Sequence, residues 1–333
     1  MIIHILTSGV ENIWQGCFMK HYSTEKNNMT GDVLMRINKF LLFIVILFLS
    51  VSLKLFAQDA LPVCPVRGTP MKSAKPMREM KLLYDTLSVQ IDLPVAFKGI
   101  GINEIVDSLG ILSPVLEHLR LVKGGILEDT VRILHIGDSH IRGHIYPQTT
   151  GQRLAETFGS VSYTDMGVNG ATCLTFTHPD RIAAIAALKP ELLILSFGTN
   201  ESHNKRYNAN LHYQQMDELI SLIRDSLPDV PILLTTPPGS YESFRRRGRR
   251  RTYTINPRTV TAANTIQKYA RDHHLVVWDM YNVVGGSLRA CKNWQEARLM
   301  RPDHVHYLPE GYILQGNLLY EAIIKAYNDY VSH

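Results

Sequence analysis

Cysteine is scarce in this chain: four residues in 333, none in CxxC spacing. That excludes a zinc ribbon and a disulfide scaffold. Bulk charge is also missing, because 35 Lys and Arg face 30 Asp and Glu. A protein that binds nucleic acid through its overall charge is excluded on that balance, and no nucleic-acid recognition motif is present. There is no Gly-x-Ser-x-Gly elbow, which disfavours the α/β-hydrolase proper. Long apolar runs are limited to one, residues 40–53, fourteen residues without a charge. A spanning helix needs about 20, so no stable membrane span is expected in the mature form. What remains, 45% hydrophobic, 20% charged and 8% aromatic, is ordinary globular composition.

The apolar run is preceded by Met35, Arg36 and Lys39 and followed by Ala57. A basic start, an apolar centre and a small residue at the end predict a signal peptide over 35–57, with 1–34 upstream of the true start. Residues 1–57 are therefore expected to be absent from the mature protein. Its location is then periplasmic or extracellular, or membrane-tethered if the leader stays uncleaved. Residues 58–130 read as a linker, rich in Pro, Lys and Met to about 78, and then a small N-terminal segment. In it Ser113 and Pro114 predict a short helix, with Ser113 as its N-cap and Gly124-Gly125 closing it.

From 131 to 333 short β-branched runs alternate with helical stretches, the pattern of a parallel sheet wrapped by helices. Strands are expected at 131–136, 161–165, 192–197, 232–236 and 275–279. Helices are expected near 148–158, 179–188, 208–226, 257–273 and 311–330. The fold class is a three-layer α/β/α sandwich with a five-stranded parallel sheet, and ligands belong at the carboxyl ends of its strands.

Chemistry-bearing residues fall at those ends. Gly137-Asp138-Ser139-His140 follows the first strand and presents a serine on a strand-to-helix turn. Alone, an N-cap serine would explain it. Gly170 follows the second strand and Asn200 the third, as Gly198-Thr199-Asn200. A glycine N–H and an asparagine amide are the donor types that stabilise an oxyanion, although each could be a plain turn. Near the C-terminus Asp303 and His306 are three apart, which lets one tight turn set a carboxylate against an imidazole. A metal site built from Asp303, His304 and His306 is disfavoured for want of a second ligand cluster, and no metal or cofactor is expected.

Taken in order, these four motifs resemble the SGNH hydrolases, also called GDSL-type esterases, over about residues 131–330. The resemblance implies a flavodoxin-like fold and makes Ser139 the nucleophile, His306 the general base and Asp303 its orienting partner. It makes Gly170, Asn200 and the Ser139 amide the oxyanion donors. His140 stands where the name-giving motif has leucine, as esterases acting on O-acetylated cell-wall polysaccharide tolerate. The function expected is an exported serine esterase that removes small acyl groups, acetyl foremost, from a carbohydrate or peptidoglycan-like polymer. Hydrolysis should fade on acidification as an imidazole base charges.

Alternatives remain. The same triad would serve an O-acyltransferase, in which a sugar hydroxyl replaces water. Arg245, Arg246 and Arg247 open an Arg-rich run to Arg251 that would clasp an anionic polymer, and a non-catalytic envelope protein could be built around it. The bland reading of that run is a solvated loop. His140 and Trp294 are further candidate substrate contacts, with Tyr253 and Tyr281 beside Trp294 as a sugar-stacking surface. Core packing would explain single aromatics equally well.

Overall fold

The first strand expected from the sequence, Val131–Gly137, spells Val-Arg-Ile-Leu-His-Ile-Gly. Such a run suits a strand covered on both faces. In the computed structural model, which describes residues 83–244 and 250–333, it lies inside the sheet, one strand in from an edge and paired on both sides. The expected signal peptide, the linker to about 78 and Arg245, Arg246 and Arg247 lie outside the described residues.

The elements run β1 (Ile105–Val106), α1 (Ser113–Lys123), β2 (Val131–Gly137), α2 (Ser139–Arg142), α3 (Ile145–Phe158) and β3 (Val161–Gly167). Next come a 3₁₀ turn (Cys173–Phe176), α4 (Pro179–Ala187), β4 (Leu192–Ser196), α5 (Thr199–His203), α6 (Ala209–Ser226) and β5 (Ile232–Thr235). They end with β6 (Tyr241–Phe244), β7 (Thr252–Ile255), α7 (Arg258–Asp272), β8 (Val276–Trp278), α8 (Met280–Val283), α9 (Gly286–Glu296) and α10 (Pro309–Ser332).

The main sheet has the order β1-β8-β5-β4-β2-β3. Its five expected strands are parallel, and the sixth, β1, is antiparallel to β8 through Ile105↔Trp278 and Val106↔Val277. The sheet is therefore six-stranded and mixed, a correction to the five parallel strands expected. Two residues carry no period of their own. β1 is fixed by tertiary bonds instead: Asn103 accepts from Trp278 Nε1 at 2.8 Å and donates to Leu318 O and Glu321.

One core lies between the sheet and α1, α3 and α10, with Leu119, Leu154, Leu319 and Ile324 fully buried. The other lies beneath α4, α6 and α7, around Leu193, Ile232 and Tyr269. Residues 83–130 join the first of these: Phe97 packs edge-on to Trp294, and α1 buries Val115, Leu116, Leu119 and Val122. Ser113 is not the cap of α1. The cap is Leu112, and the Asp107 carboxylate accepts the free N–H groups of Ile111 and Leu112, both at 2.8 Å.

Across the sheet the side chains of Tyr163, His135, Ser196 and Thr235 form a buried hydrogen-bonded ladder. Burial pushes His135 down to about 3, so a neutral ring crosses the sheet. The β6–β7 hairpin is an addition that the sequence pattern did not reveal. Glu242 on β6 pairs with Arg258 at 2.5 Å, and Arg258 also donates to Ser202 O. Among the described residues no helix is long and apolar enough to cross a membrane.

Candidate active site

The nucleophile turn depends on two glycines paired across the strand ends, Gly137 on β2 and Gly167 on β3. A Cβ on Gly167 would overlap the Arg142 backbone. One on Gly137 would lie 2.5 Å from Ser196 O and 2.6 Å from the Ile141 side chain. Their absence lets α2 sit directly on the sheet end. Asp138 caps that helix, accepting His140 N–H at 2.9 Å, and Ser139 is its first residue. Burial drives the Asp138 carboxyl up to about 7. The His140 N–H, the His306 imidazole and the Thr199 hydroxyl oppose it by favouring the ionised form.

Residues 300–307 form a tight loop closed by a bridge between Met300 and Tyr307, with Arg301 N–H donating to His306 O at 2.8 Å. Within it Asp303 Oδ1 accepts the N–H groups of Val305 and His306, each at 2.9 Å, and Asp303 Oδ2 lies 3.0 Å from His306 Nδ1. His306 Nε2 lies 2.9 Å from Ser139 Oγ. Partial burial works to raise the Asp303 carboxyl, but the backbone donors and the imidazole outweigh it and hold the group below its ordinary value. The carboxylate is thus ionised and fixes the ring with Nδ1 protonated, leaving Nε2 to accept the serine proton. This arrangement can perform general-base-assisted attack on a carbonyl.

Gly170 sits at φ +73°, the left-handed region, where a Cβ would meet nothing within 4 Å, so this turn faces open space. The Asn200 amide donates to Ala171 O at 2.9 Å and reaches Asp138 Oδ2 at 3.5 Å. It therefore lies between the residue before Ser139 and the residue after Gly170. The ends of β2, β3 and β4 converge on one point, as three separate turns in the sequence suggested.

Other sequence candidates fall elsewhere. His140 is buried, with Nδ1 3.1 Å from Tyr312 OH and its ring 5.4 Å from that of His306, so it stands behind the base and away from solvent. Trp294 is fully buried and donates to Pro238 O, and Tyr281 is buried too. Neither forms a sugar-stacking surface. Both complete the core under α9, which explains their aromatic character. His304 sits at φ +57°, and its ring lies against that of Tyr253, with centroids 4.2 Å apart and planes tilted by 42°.

Sequence reasoning missed the hairpin's part in the site. Tyr241 N–H donates to His304 O at 2.9 Å, and Tyr253 covers the His304 ring, so β6 and β7 brace the loop carrying Asp303 and His306. It also missed Tyr307, whose hydroxyl ties this loop to Gly239 O at 2.7 Å. Neither has a local signature, since each partner lies tens of residues away.

The profile of the GDSL-like Lipase/Acylhydrolase family matches residues 135–314, more than half of the chain, and the chain belongs to that family. It is accordingly a carboxylic ester hydrolase of the SGNH type. Among solved structures it is similar to a peptidoglycan O-acetylesterase, at 18% identity and a TM-score of 0.58 over 68% of this chain and 99% of that one. It is also similar to a lipase/acylhydrolase from Enterococcus faecalis, at 20% identity and a TM-score of 0.45 over 59% and 97%. A third similarity is to Est24, a carbohydrate acetylesterase from Sinorhizobium meliloti, at 13% identity and a TM-score of 0.44 over 59% and 100%. No curated protein sequence matches the chain significantly.

Proposed function

We propose that the protein is an exported serine esterase that removes acetyl groups from a carbohydrate or peptidoglycan-like polymer. The observation that carries this reading is the continuous hydrogen-bonded chain Asp303–His306–Ser139, at 3.0 and 2.9 Å, on the carboxyl edge of the sheet. Ser139 Oγ attacks the ester carbonyl while His306 Nε2 takes its proton. The oxyanion is received by the Ser139 and Gly170 N–H groups and the Asn200 amide. His306 then returns the proton to the departing sugar oxygen, leaving an acetyl-serine that water, activated by the same imidazole, hydrolyses.

Three features support the polymer and the small acyl group. The site is open: the Asp303 and His306 side chains are 46% and 32% exposed, which suits a substituent on a long chain better than a fatty acyl group needing a tunnel. A solved structure similar in fold is that of a peptidoglycan O-acetylesterase. The leader chemistry of residues 35–57 supports export to where such polymers lie.

The test is hydrolysis of a short-chain p-nitrophenyl ester, O-acetylated xylan and O-acetylated peptidoglycan by the chain from Gln58 onward. Acetate release from at least one polymer is expected, and Ser139→Ala should lower turnover on the order of 10³-fold or more. Full activity of that variant, or no ester cleavage by the parent, would sink the reading. Adding sugar acceptors reports on transfer, since acylated acceptor in place of free acetate would identify an acyltransferase.

A further inference from the structure

Behind the oxyanion turns, on the α6 side of the sheet, three buried side chains meet that the esterase chemistry does not use. Cys173 opens the 3₁₀ turn three residues after Gly170, Glu201 follows Asn200 on α5, and His212 lies in the first turns of α6. Their ligand atoms all lie within 4.8 Å of one another, and each residue is at most 5% exposed.

The hydrogen-bond network fixes the imidazole. The Thr265 hydroxyl donates to Thr261 O, and the Tyr207 hydroxyl donates to Thr265 Oγ1. The Tyr207 oxygen, 2.9 Å from His212 Nδ1, is therefore the acceptor of the Nδ1 proton. That leaves His212 Nε2 as a bare lone pair, buried and without a hydrogen-bond partner. In the same cluster stands Glu201, whose two oxygens accept the N–H groups of Cys173 and Gly198 at 2.9 and 2.8 Å. Among the described residues no Lys, Arg or His forms an ion pair with Glu201. A buried carboxylate, a buried imidazole with one unpartnered nitrogen and a buried thiol thus share one cluster, in which the thiol hydrogen-bonds to Glu201. Buried charges of this kind are paired or ligate metals.

We propose that Cys173, Glu201 and His212 bind a divalent transition metal of the zinc class. Ligand atoms about 2.0–2.3 Å from a tetrahedral zinc lie about 3.3–3.8 Å apart, within the 4.8 Å limit that encloses the three groups here. A thiolate, an imidazole and a carboxylate select zinc over magnesium or calcium. The charges also close: binding releases the Cys173 proton to solvent, and thiolate and carboxylate together neutralise the ion. Tyr207 orients the imidazole from behind through its other nitrogen. Such a metal staples the Gly170 turn to the Asn200 turn, so its role is to hold the oxyanion donors in place. It takes no part in the reaction.

The probe is zinc or cobalt alone, added to the tag-free chain from Gln58 onward. Elemental analysis of the purified protein should find about one zinc per chain, and cobalt exchange should give the near-ultraviolet charge-transfer band of a thiolate ligand. Cys173→Ser should abolish the band, while Cys291→Ser and Ser139→Ala should keep it. Tyr207→Phe, which retains all three ligands and so guards against a Cys173 variant that fails to fold, should weaken metal affinity about 10–100-fold. A folded parent that takes up neither ion, a cobalt band that survives Cys173→Ser, or Tyr207→Phe affinity equal to the parent's would overturn the proposal.

Discussion

Replacing His140 by leucine should remove part of the acid sensitivity of this fold. Burial, aided by the His306 charge, holds the His140 ring at about 3, against 6.5 for the free side chain, and burial does the same to His135. Between these values the unfolded chain binds a proton on each ring that the native protein refuses. Each ring therefore lowers stability as pH falls below 6.5, by about 1.4 kcal/mol per pH unit. Asp138 acts in the opposite sense. Its folded value of about 7 exceeds the ordinary 3.8, so its contribution is complete below 3.8 and is lost as pH rises through 7. From about pH 4.5 to 6, two imidazole protons oppose one carboxyl proton, and the parent should lose at least about 1.4 kcal/mol per unit of acidification.

In His140→Leu one ring remains against one carboxyl, so the slope should fall by about 1.4 kcal/mol per unit. His212, also held down by burial, steepens both profiles alike; His203, held down by burial and in small part by His140, adds slightly to the same fall in slope. The lost bond to Tyr312 costs about 1 kcal/mol at every pH and displaces the profile without tilting it. Urea unfolding at a series of pH values measures both slope and offset. Parallel profiles for parent and variant would show that His140 titrates normally in the native protein, and the burial argument would be wrong.

Asp138→Asn keeps a capping oxygen but cannot ionise, so it should match the parent near pH 4 and be more stable at pH 8, by up to about 4 kcal/mol. Equal melting temperatures at pH 8 would count against a raised carboxyl. Asp303→Asn should lower kcat about 10²-fold or more with little change in stability, because it removes the group that sets the His306 tautomer from a largely exposed position. Steady-state kinetics beside thermal melting separates the two effects. Gly167→Ala should destabilise the protein by more than about 3 kcal/mol, since its Cβ has no room beside the Arg142 backbone. A near-parental denaturant midpoint would mean that α2 can lift from the sheet freely.

The five parallel strands and their helices were legible because each carries its own apolar period and ends in turn residues, as 192–197 ends in Gly198. The candidate site residues were legible because a doubly wound sheet gathers its strand ends on one edge, so the motif after each strand must arrive there. β1 was not legible, because two residues have no period and their pairing is set by Asn103 and Trp278. The roles suggested for His140 and Trp294 failed for a related reason: sequence shows that a side chain is aromatic or polar but not which way it faces.

What the sequence determined by itself was the order of elements, the α/β class and the identity of Ser139, Asp303 and His306 as reactive types, all of which depend on local pattern and spacing. What the tertiary structure alone decided was proximity across long separations. It set His306 2.9 Å from Ser139 across 167 residues, braced the 300–307 loop with the β6–β7 hairpin, and buried His140 behind the base. It also gathered Cys173, Glu201 and His212 from three elements into one cluster. The reason is physical: backbone propensity acts over a few residues, whereas burial, and with it the protonation of Asp138 and His140, exists only once the layers have closed.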